Sequence, residues 1–437
     1  MAEMNLLHLS PKHFIEFIKK ENITRFYFVY DMLTKSVKAS HKQLQPVADF
    51  LQMDQRDFNE HEGIFIQLSS KYDTLLGAFV HRTNRGQAAG GVRYWSYDTM
   101  EDYLRDGLRL GMGMTHKNAL AGLWWGGGKG VMAKNPDVYK LDPEVREFLY
   151  KEYGELMTSL KGCYVTAEDV GTNVKDMANI FSNTRFTTCI PHEKGGSGNP
   201  SVPTARGVVA GMEAAMEYLG QTLEGKTIAI QGMGNVGAPL IKFLFEKNVE
   251  KIIAWDIYPD VVEKIKKQFE DKNLDAHVAK KGDHSLMGIE CDVLSPNATG
   301  ATLNRDTIPN IKAKVICGAA NNQLEDPIED DKRIHDKGIL YIPDFLTNRM
   351  GIVNCADESA GYVSNDPLIE RHLSKDWKFS IHQMTLNVLN ESKETGKSTG
   401  AMAVEMAEKL SRENHPIFGH RGQMIINSLL KEGWEKG

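Results

Sequence analysis

Three textures of hydrophobic and polar positions follow one another along the chain. In residues 1–60 the apolar positions recur at helical spacing, as in "HFIEFIKK" and "LQPVADFLQM", which predicts an N-terminal helical extension. From "GIFIQLSS" onward the pattern becomes strand-like, and "LLGAFVHRT" and "AAGGVRYWS" read as strands broken by turns. "TMEDYLRDGLRLGMGMTHKNALAG" then returns to helical spacing through Met100, Leu104, Leu108 and Gly111. Thr99 is placed to cap its start, with Asp102 three residues on, and Gly122 to end it. A second helix over "DPEVREFLYKEYGELMTSL" is broken by Gly162. "CYVTA" follows as a short strand, with "EDVGTN" as the turn at its C-terminal end.

"HEKGGSGNPSVPTARG" is rich in Gly, Ser and Pro and reads as a hinge between domains. Beyond it, "KTIAIQG", "KIIAWD", "CDVLSPN", "KVICGAAN" and "ILYIPD" alternate with helical or loop material. This alternation predicts a parallel, doubly wound sheet. From about residue 366 the tail is helical and charged. The expectation is therefore an α/β protein of two domains: a substrate and catalytic domain over 61–200, with C-terminal helices 385–437 packing back onto it, and a Rossmann-type domain over 201–384.

Composition narrows the function classes. Hydrophobic residues make up 41% and charged residues 25% of 437 positions, enough for sizeable cores. A net charge of −6 argues against a dedicated nucleic-acid binder. No apolar run reaches membrane-spanning length, and "MAEMNLLHLSPKHFIEFIKKEN" lacks the apolar core of a secretory signal, so neither a membrane span nor secretion is expected. Cys163, Cys189, Cys291, Cys317 and Cys355 are scattered and form no CxxC pair. They read as free core thiols of a protein in a reducing, cytoplasmic setting, with no metal site.

"IQGMGNVGAPLIKFLF" carries the first specific chemistry. Gly232, Gly234 and Gly237 stand in GxGxxG spacing between an apolar strand and a helix, with Asn235 and Val236 inside the loop. Gly232 suits the tight turn, Gly234 the approach of a pyrophosphate and Gly237 close helix–strand packing. The helix N-terminus supplies N–H groups to phosphates. The second strand ends in Asp256, which can accept from ribose hydroxyls and would repel a 2′-phosphate. No arginine follows in "WDIYPDVV", so NAD is favoured over NADP.

"ALAGLWWGGGKGVM" places Lys129 among glycines. It is not a phosphate loop: Leu123 occupies the first glycine position of that motif, and Gly130 stands where Ser or Thr is needed. Lys117 lies twelve residues upstream, and Asp169 sits at the end of another strand. Two lysines and an aspartate beside a nicotinamide site suit a carboxylate-bearing substrate. One lysine holds the carboxylate; the other, if desolvated or near a second cation, can act as a base near neutral pH. The glycines then permit close approach of backbone and substrate.

With these motifs the chain resembles the Glu/Leu/Phe/Val dehydrogenase family, nearest to its leucine and phenylalanine branch. The resemblance runs from about residue 64 to beyond 360 through "GGVRYW", "GMTHKNALAG", "GGGKG", "TAEDVGT", "SGNPS", "GMGNVG", "GAANNQL" and "NCADE". It implies reversible oxidative deamination of an L-amino acid by NAD, giving a 2-oxo acid and ammonia, in a homo-oligomer. Carried onto this chain, Lys117 binds the substrate carboxylate with the backbone around Gly90 and Gly91. Lys129 activates water and Asp169 relays protons to the substrate nitrogen. Asn322 bridges substrate and nicotinamide ribose, and Thr204 contacts the carboxamide.

By motif position Ala89, Ala167, Ile352 and Cys355 line the side-chain pocket. All are small or apolar, and no lysine stands at position 89 to receive a glutamate side chain. Two features depart from the family. "NRMG" introduces Arg349 and Met350, which would serve an acidic or unusual substrate or pair with a carboxylate across the domain cleft. Trp124 and Trp125 are bulky and read as core rather than pocket wall. A catalytically silent NAD-binding regulatory protein is the remaining alternative, and its signature would be loss of Lys129 or Asp169.

Overall fold

The computed structural model describes residues 5–135, 142–361, 363 and 365–437. Residues 1–4 of the expected extension lie outside the described residues. The chain forms two compact units. Unit 1 comprises 1–198, 355–362 and 409–437; unit 2 comprises 199–354 and 363–408.

Unit 1 is built on seven strands: β1 (Arg25–Asp31), β2 (Ser36–Ala39), β3 (Gly63–Leu68), β4 (Leu75–Arg82), β5 (Ala88–Trp95), β6 (Gly126–Ala133) and β7 (Tyr164–Glu168). They lie in the order β2-β1-β3-β4-β6-β5-β7. The pairs from β2 through β4 to β6 are antiparallel, whereas β5 runs parallel to both β6 and β7. The sheet holds one correction to the sequence reading. Residues 1–60 are not a helical extension: β1 and β2 belong to the sheet. Phe26 and Phe28 alternate into a core that also takes Phe14 and Ile18 from the helix Pro11–Lys20 and Leu104 and Leu108 from the helix Met100–Leu120. Alternation on a pleated strand, not helical spacing, governs that segment.

The glycine run forms the fully buried strand β6. A Cβ on Gly127 would collide with Thr115 N, and one on Gly130 with the Tyr153 hydroxyl and the Val92 side chain. The glycines let the helix Met100–Leu120 and the neighbouring strands close onto β6. They have a packing reason beside the expected approach to substrate. That helix begins as expected: the Thr99 side chain accepts from Asp102 N, and Gly122 follows its end at φ 67°.

Unit 2 carries β8 (Thr227–Gln231), β9 (Lys251–Asp256), β10 (Leu274–Val278), β11 (Val293–Pro296), β12 (Val315–Ile316) and β13 (Leu340–Tyr341). All pairs are parallel, in the order β10-β9-β8-β11-β12-β13. Counted from β8 this is 3-2-1-4-5-6, the Rossmann order, with its switch point between β8 and β11. The expected hinge contains the boundary between the units at 198/199, but its second half is the first turns of the helix Ser201–Tyr218. The C-terminal helices divide differently from the expectation. Ile381–Thr395 packs on Ser201–Tyr218 within unit 2, and only residues 409–437 belong with unit 1. The five cysteines are free, with all but Cys291 buried. No helix among the described residues is long and apolar enough to cross a membrane.

Candidate active site and cofactor cradle

In unit 1 the parallel strands β6, β5 and β7 bring the candidate catalytic residues together. Lys129, on β6, is buried, and its Nζ lies 3.0 Å from Asp169 Oδ2, one residue beyond β7. Arg93, on β5, donates from Nε to the same carboxylate at 3.1 Å and from Nη1 to both oxygens of Asp106 at 3.0 Å. Asp106 also accepts from the Tyr97 hydroxyl at 2.7 Å. The site is therefore a chain of alternating charges, Lys129–Asp169–Arg93–Asp106, of which sequence reasoning found only the first two. Arg93 stood inside the quoted "GGVRYW", and Asp106 is a buried carboxylate on the helix face that also buries Tyr103 and Gly107. A charge interrupting an apolar strand was the available signal for Arg93, whereas Asp106 stands among other charges on its helix and carried none.

Burial pushes the Lys129 ammonium below the ordinary lysine value and Arg93 adds to this, while Asp169 opposes them. Burial pushes the Asp169 carboxyl up, but Lys129 and Arg93 outweigh it and hold Asp169 below its ordinary range. The pair thus combines a lysine that gives up its proton more readily than usual with a carboxylate that stays ionised. The turn bearing Asp169 is held by its neighbours: Asp169 N donates to Thr172 Oγ1 at 2.8 Å, and Thr172 Oγ1 donates to Val92 O at 3.2 Å.

Gly91 pairs with Ala167 across β5 and β7, and a Cβ there would lie 2.8 Å from Asp169 Cβ. A Cβ on Gly90 would strike Gly128 O. Both glycines thus have a packing reason in addition to the expected substrate contact. Lys117 lies half-buried in the last turn of the helix that Gly127 admits against β6. Ala89 and Ala167 are buried on neighbouring strands, and Cys355 is buried with its Sγ 3.3 Å from Cys189 Sγ. Ile352, Asn322 and Thr204 belong to unit 2. Asn322 is exposed at φ 52° and its N donates to Asp344 Oδ2 at 2.6 Å, while Thr204 Oγ1 donates to Pro200 O at 2.9 Å.

The cofactor cradle of unit 2 follows β8. Gly232 has φ 90° and a Cβ there would press on Ala298; a Cβ on Gly237 would strike Gly232 O. These two glycines are fixed by the fold. Gly234 differs: a Cβ there meets nothing within 4 Å, and Gly234 and Asn235 are exposed. The helix Gly237–Glu246 starts at Val236 with no side chain capping its N–H groups. An open glycine before an uncapped helix N-terminus, at the switch point of the sheet, fits a pyrophosphate. Asp256 ends β9, where Oδ2 accepts from Met233 N at 2.8 Å and Oδ1 from Tyr258 N at 3.1 Å. It braces the glycine loop and keeps lone pairs for ribose hydroxyls.

Two of the departures turn out otherwise than expected. Arg349 is fully buried inside unit 2 and donates from Nη2 to the Phe379 carbonyl; burial pushes it down to about 9. Buried in this way, it presents no guanidinium to a substrate side chain. Trp124 is not core, being 42% exposed.

Comparison with known proteins matches both units of this arrangement. Residues 66–186 match the "Glu/Leu/Phe/Val dehydrogenase, dimerisation domain", and residues 195–414 match "Glutamate/Leucine/Phenylalanine/Valine dehydrogenase". The chain belongs to the Glu/Leu/Phe/Val dehydrogenase family. Within the family it is 44% identical over 285 residues to a leucine dehydrogenase of Geobacillus stearothermophilus, covering 65% of this chain and 74% of that protein. It is 42% identical over 349 residues to a leucine dehydrogenase of Bacillus cereus, covering 78% of this chain and 90% of the relative. Among solved structures, the L-tryptophan dehydrogenase of Nostoc punctiforme superimposes with a TM-score of 0.65 at 32% identity, over 80% of this chain and 96% of that one. Membership supports a nicotinamide cofactor.

Proposed function

We propose that this dehydrogenase catalyses the reversible, NAD-dependent oxidative deamination of an apolar L-amino acid to its 2-oxo acid and ammonia. The observation that carries the reading is the buried Lys129–Asp169 pair at 3.0 Å, with Lys129 pushed below the ordinary lysine value. A bound nicotinamide would supply the hydride acceptor for the substrate Cα, whose oxidised form, an iminium, is open to attack at that carbon. Lys117, with the backbone at Gly90 and Gly91, holds the substrate carboxylate. Neutral Lys129 takes a proton from water as the water oxygen bonds to that carbon, giving a carbinolamine. Lys129 hands that proton to Asp169 at 3.0 Å, and Asp169 passes it to the amine nitrogen; the C–N bond breaks, ammonia leaves, and Lys129, neutral again, takes the hydroxyl proton as the carbonyl forms. Arg93 keeps Asp169 in place and ionised between turnovers.

Thr204 and Asn322 serve the nicotinamide end of the cofactor, and Gly232, Gly234, Asn235, Val236 and Gly237 its pyrophosphate. The Asp256 carboxylate supports NAD over NADP, because it would sit against a 2′-phosphate with no arginine in residues 257–262 to neutralise it. Ala89, Ala167, Ile352 and Cys355 support an apolar side chain. Burial of Arg349 removes the support for an acidic substrate, and the assembled Lys129–Asp169 pair removes it for a silent regulatory protein. The match of unit 1 to a dimerisation domain supports a homo-oligomer. The test is reduced-cofactor formation at alkaline pH with each of the twenty L-amino acids, with NAD and with NADP. Turnover with leucine, valine or phenylalanine and NAD is expected; turnover confined to glutamate or aspartate would overturn the substrate class.

A further inference from the structure

The tryptophan pair that the proposed chemistry leaves unused borders a second concavity in unit 1. This cavity of about 280 Å³ opens among Trp124, Trp125, Phe186 and Phe418, with Lys161, Arg185 and Arg421 on its lining. We propose that it binds a small ring-bearing anion, a carboxylate or phosphate ester on one aromatic ring system.

Its place in the sheet separates it from the candidate active site. Gln87, Trp125 and Gly162 stand immediately before or within two residues of the starts of β5, β6 and β7, which are parallel. Asp169 and Arg93 lie at or near the opposite ends of the same strands. From Gly162 to Asp169 the chain advances roughly 20 Å. A ligand here therefore occupies a site of its own.

The lining is built for a flat, negatively charged molecule. The Arg85 guanidinium lies 4.2 Å from the Trp124 ring centroid and donates from Nε to Leu123 O at 2.9 Å, which fixes one face of the indole. His415 meets the Trp124 ring edge-on at 5.4 Å and stacks on Phe418 at 4.8 Å. Trp124 and Phe418 nevertheless remain 42% and 55% exposed, so an ordered aromatic wall is left open to a ligand ring. Arg185 and Arg421 flank it, over Phe186 and Phe418, and among the described residues neither forms an ion pair with a carboxylate. Lys161 is engaged with Glu432 in an exposed pair that water and salt weaken. The volume lies at the lower edge of small-molecule sites, enough for one ring system and one anionic group and too little for a dinucleotide. His415, Phe418 and Arg421 fall after residue 414, where the family match ends, so this wall lies outside the matched part of the chain.

Calorimetric titration of the full-length protein with phenyl phosphate and with indole-3-acetate tests the proposal. Saturating NADH and L-leucine are present, a pair that cannot turn over, so that the cofactor cradle and active site are occupied. One equivalent of at least one probe is expected to bind, and the tighter one identifies the anionic group. Arg421→Glu, an exposed substitution, should weaken binding about tenfold or more while leaving turnover of leucine unchanged. Trp124→Ala should abolish binding, with circular dichroism checking its fold. Absence of heat with both probes, or affinity unaltered in both Arg421→Glu and Arg185→Glu, would overturn the proposal.

Discussion

Replacing Asp169 by Asn separates catalysis from electrostatic support in one residue. The amide keeps the size of the carboxyl group and removes its charge. Lys129 at 3.0 Å and Arg93 at 3.1 Å both lose their anion, but Arg93 retains two bonds to Asp106. The uncompensated charge is therefore that of buried Lys129. Removing one partner of a buried pair costs about 3–5 kcal/mol, and the surviving Arg93–Asp106 pair places this case near the lower figure.

The loss depends on pH with a definite sign. Lys129 in the folded protein already sits below its ordinary value because of burial, and loss of Asp169 removes a group that raised it. Between the folded and the ordinary lysine value the unfolded chain binds more protons, so stability rises with pH. The deficit of the variant should be largest at neutral pH and shrink toward pH 10. Urea unfolding of both proteins at pH 7 and near pH 10 measures it. In the same variant, loss of the proton relay should lower kcat for leucine by about 10²–10⁴-fold, read as NADH formation at 340 nm, with NAD still bound. Near-normal turnover, or a stability deficit that grows with pH, would refute the reasoning.

Lys129→Met should abolish turnover with less loss of stability than Asp169→Asn, since Asp169 keeps Arg93; a stable variant with near-normal kcat would remove Lys129 from the chemistry. In the native enzyme the rate of deamination should rise with pH through a group titrating below 10.5, and Arg93→Gln, which removes a cation that lowers Lys129, should move that limb to higher pH; a limb moving lower would contradict the assignment. Gly234→Ala should raise the KM for NAD with an unchanged melting temperature, because a Cβ there meets only open space. Gly237→Ala should lower the melting temperature as well, its Cβ colliding with Gly232 O; differential scanning fluorimetry and steady-state kinetics separate the two.

What the sequence disclosed follows from how local the responsible physics is. The cradle of unit 2 was legible because strand, glycine spacing, helix and terminal Asp256 are consecutive, and each answers a local requirement of turn or packing. Within the same sheet β10 escaped notice: it is an edge strand, and of its five residues only Ala276 is buried, so no apolar run marks it. β1 was hidden for a different reason. Its Phe26 and Phe28 alternate correctly, but they lie just after a genuinely helical stretch whose spacing extends plausibly across them. The glycine run of β6 is the sharpest case. Glycine at four of five positions ordinarily argues against a strand, because it weakens pairing and packs no side chain. Here the missing side chains are what the tertiary structure needs, since Thr115, Tyr153, Val92 and backbone carbonyls fill the space. That requirement comes from residues far away in sequence, so no window around Lys129 contains it. The same non-locality hid Arg93 and Asp106. Arg93 is one charge in an apolar strand, and Asp106 one of several on its helix, until β5, β7 and the helix Met100–Leu120 are set side by side, and only then does Arg93, paired with Asp106, join Lys129 in holding Asp169 ionised.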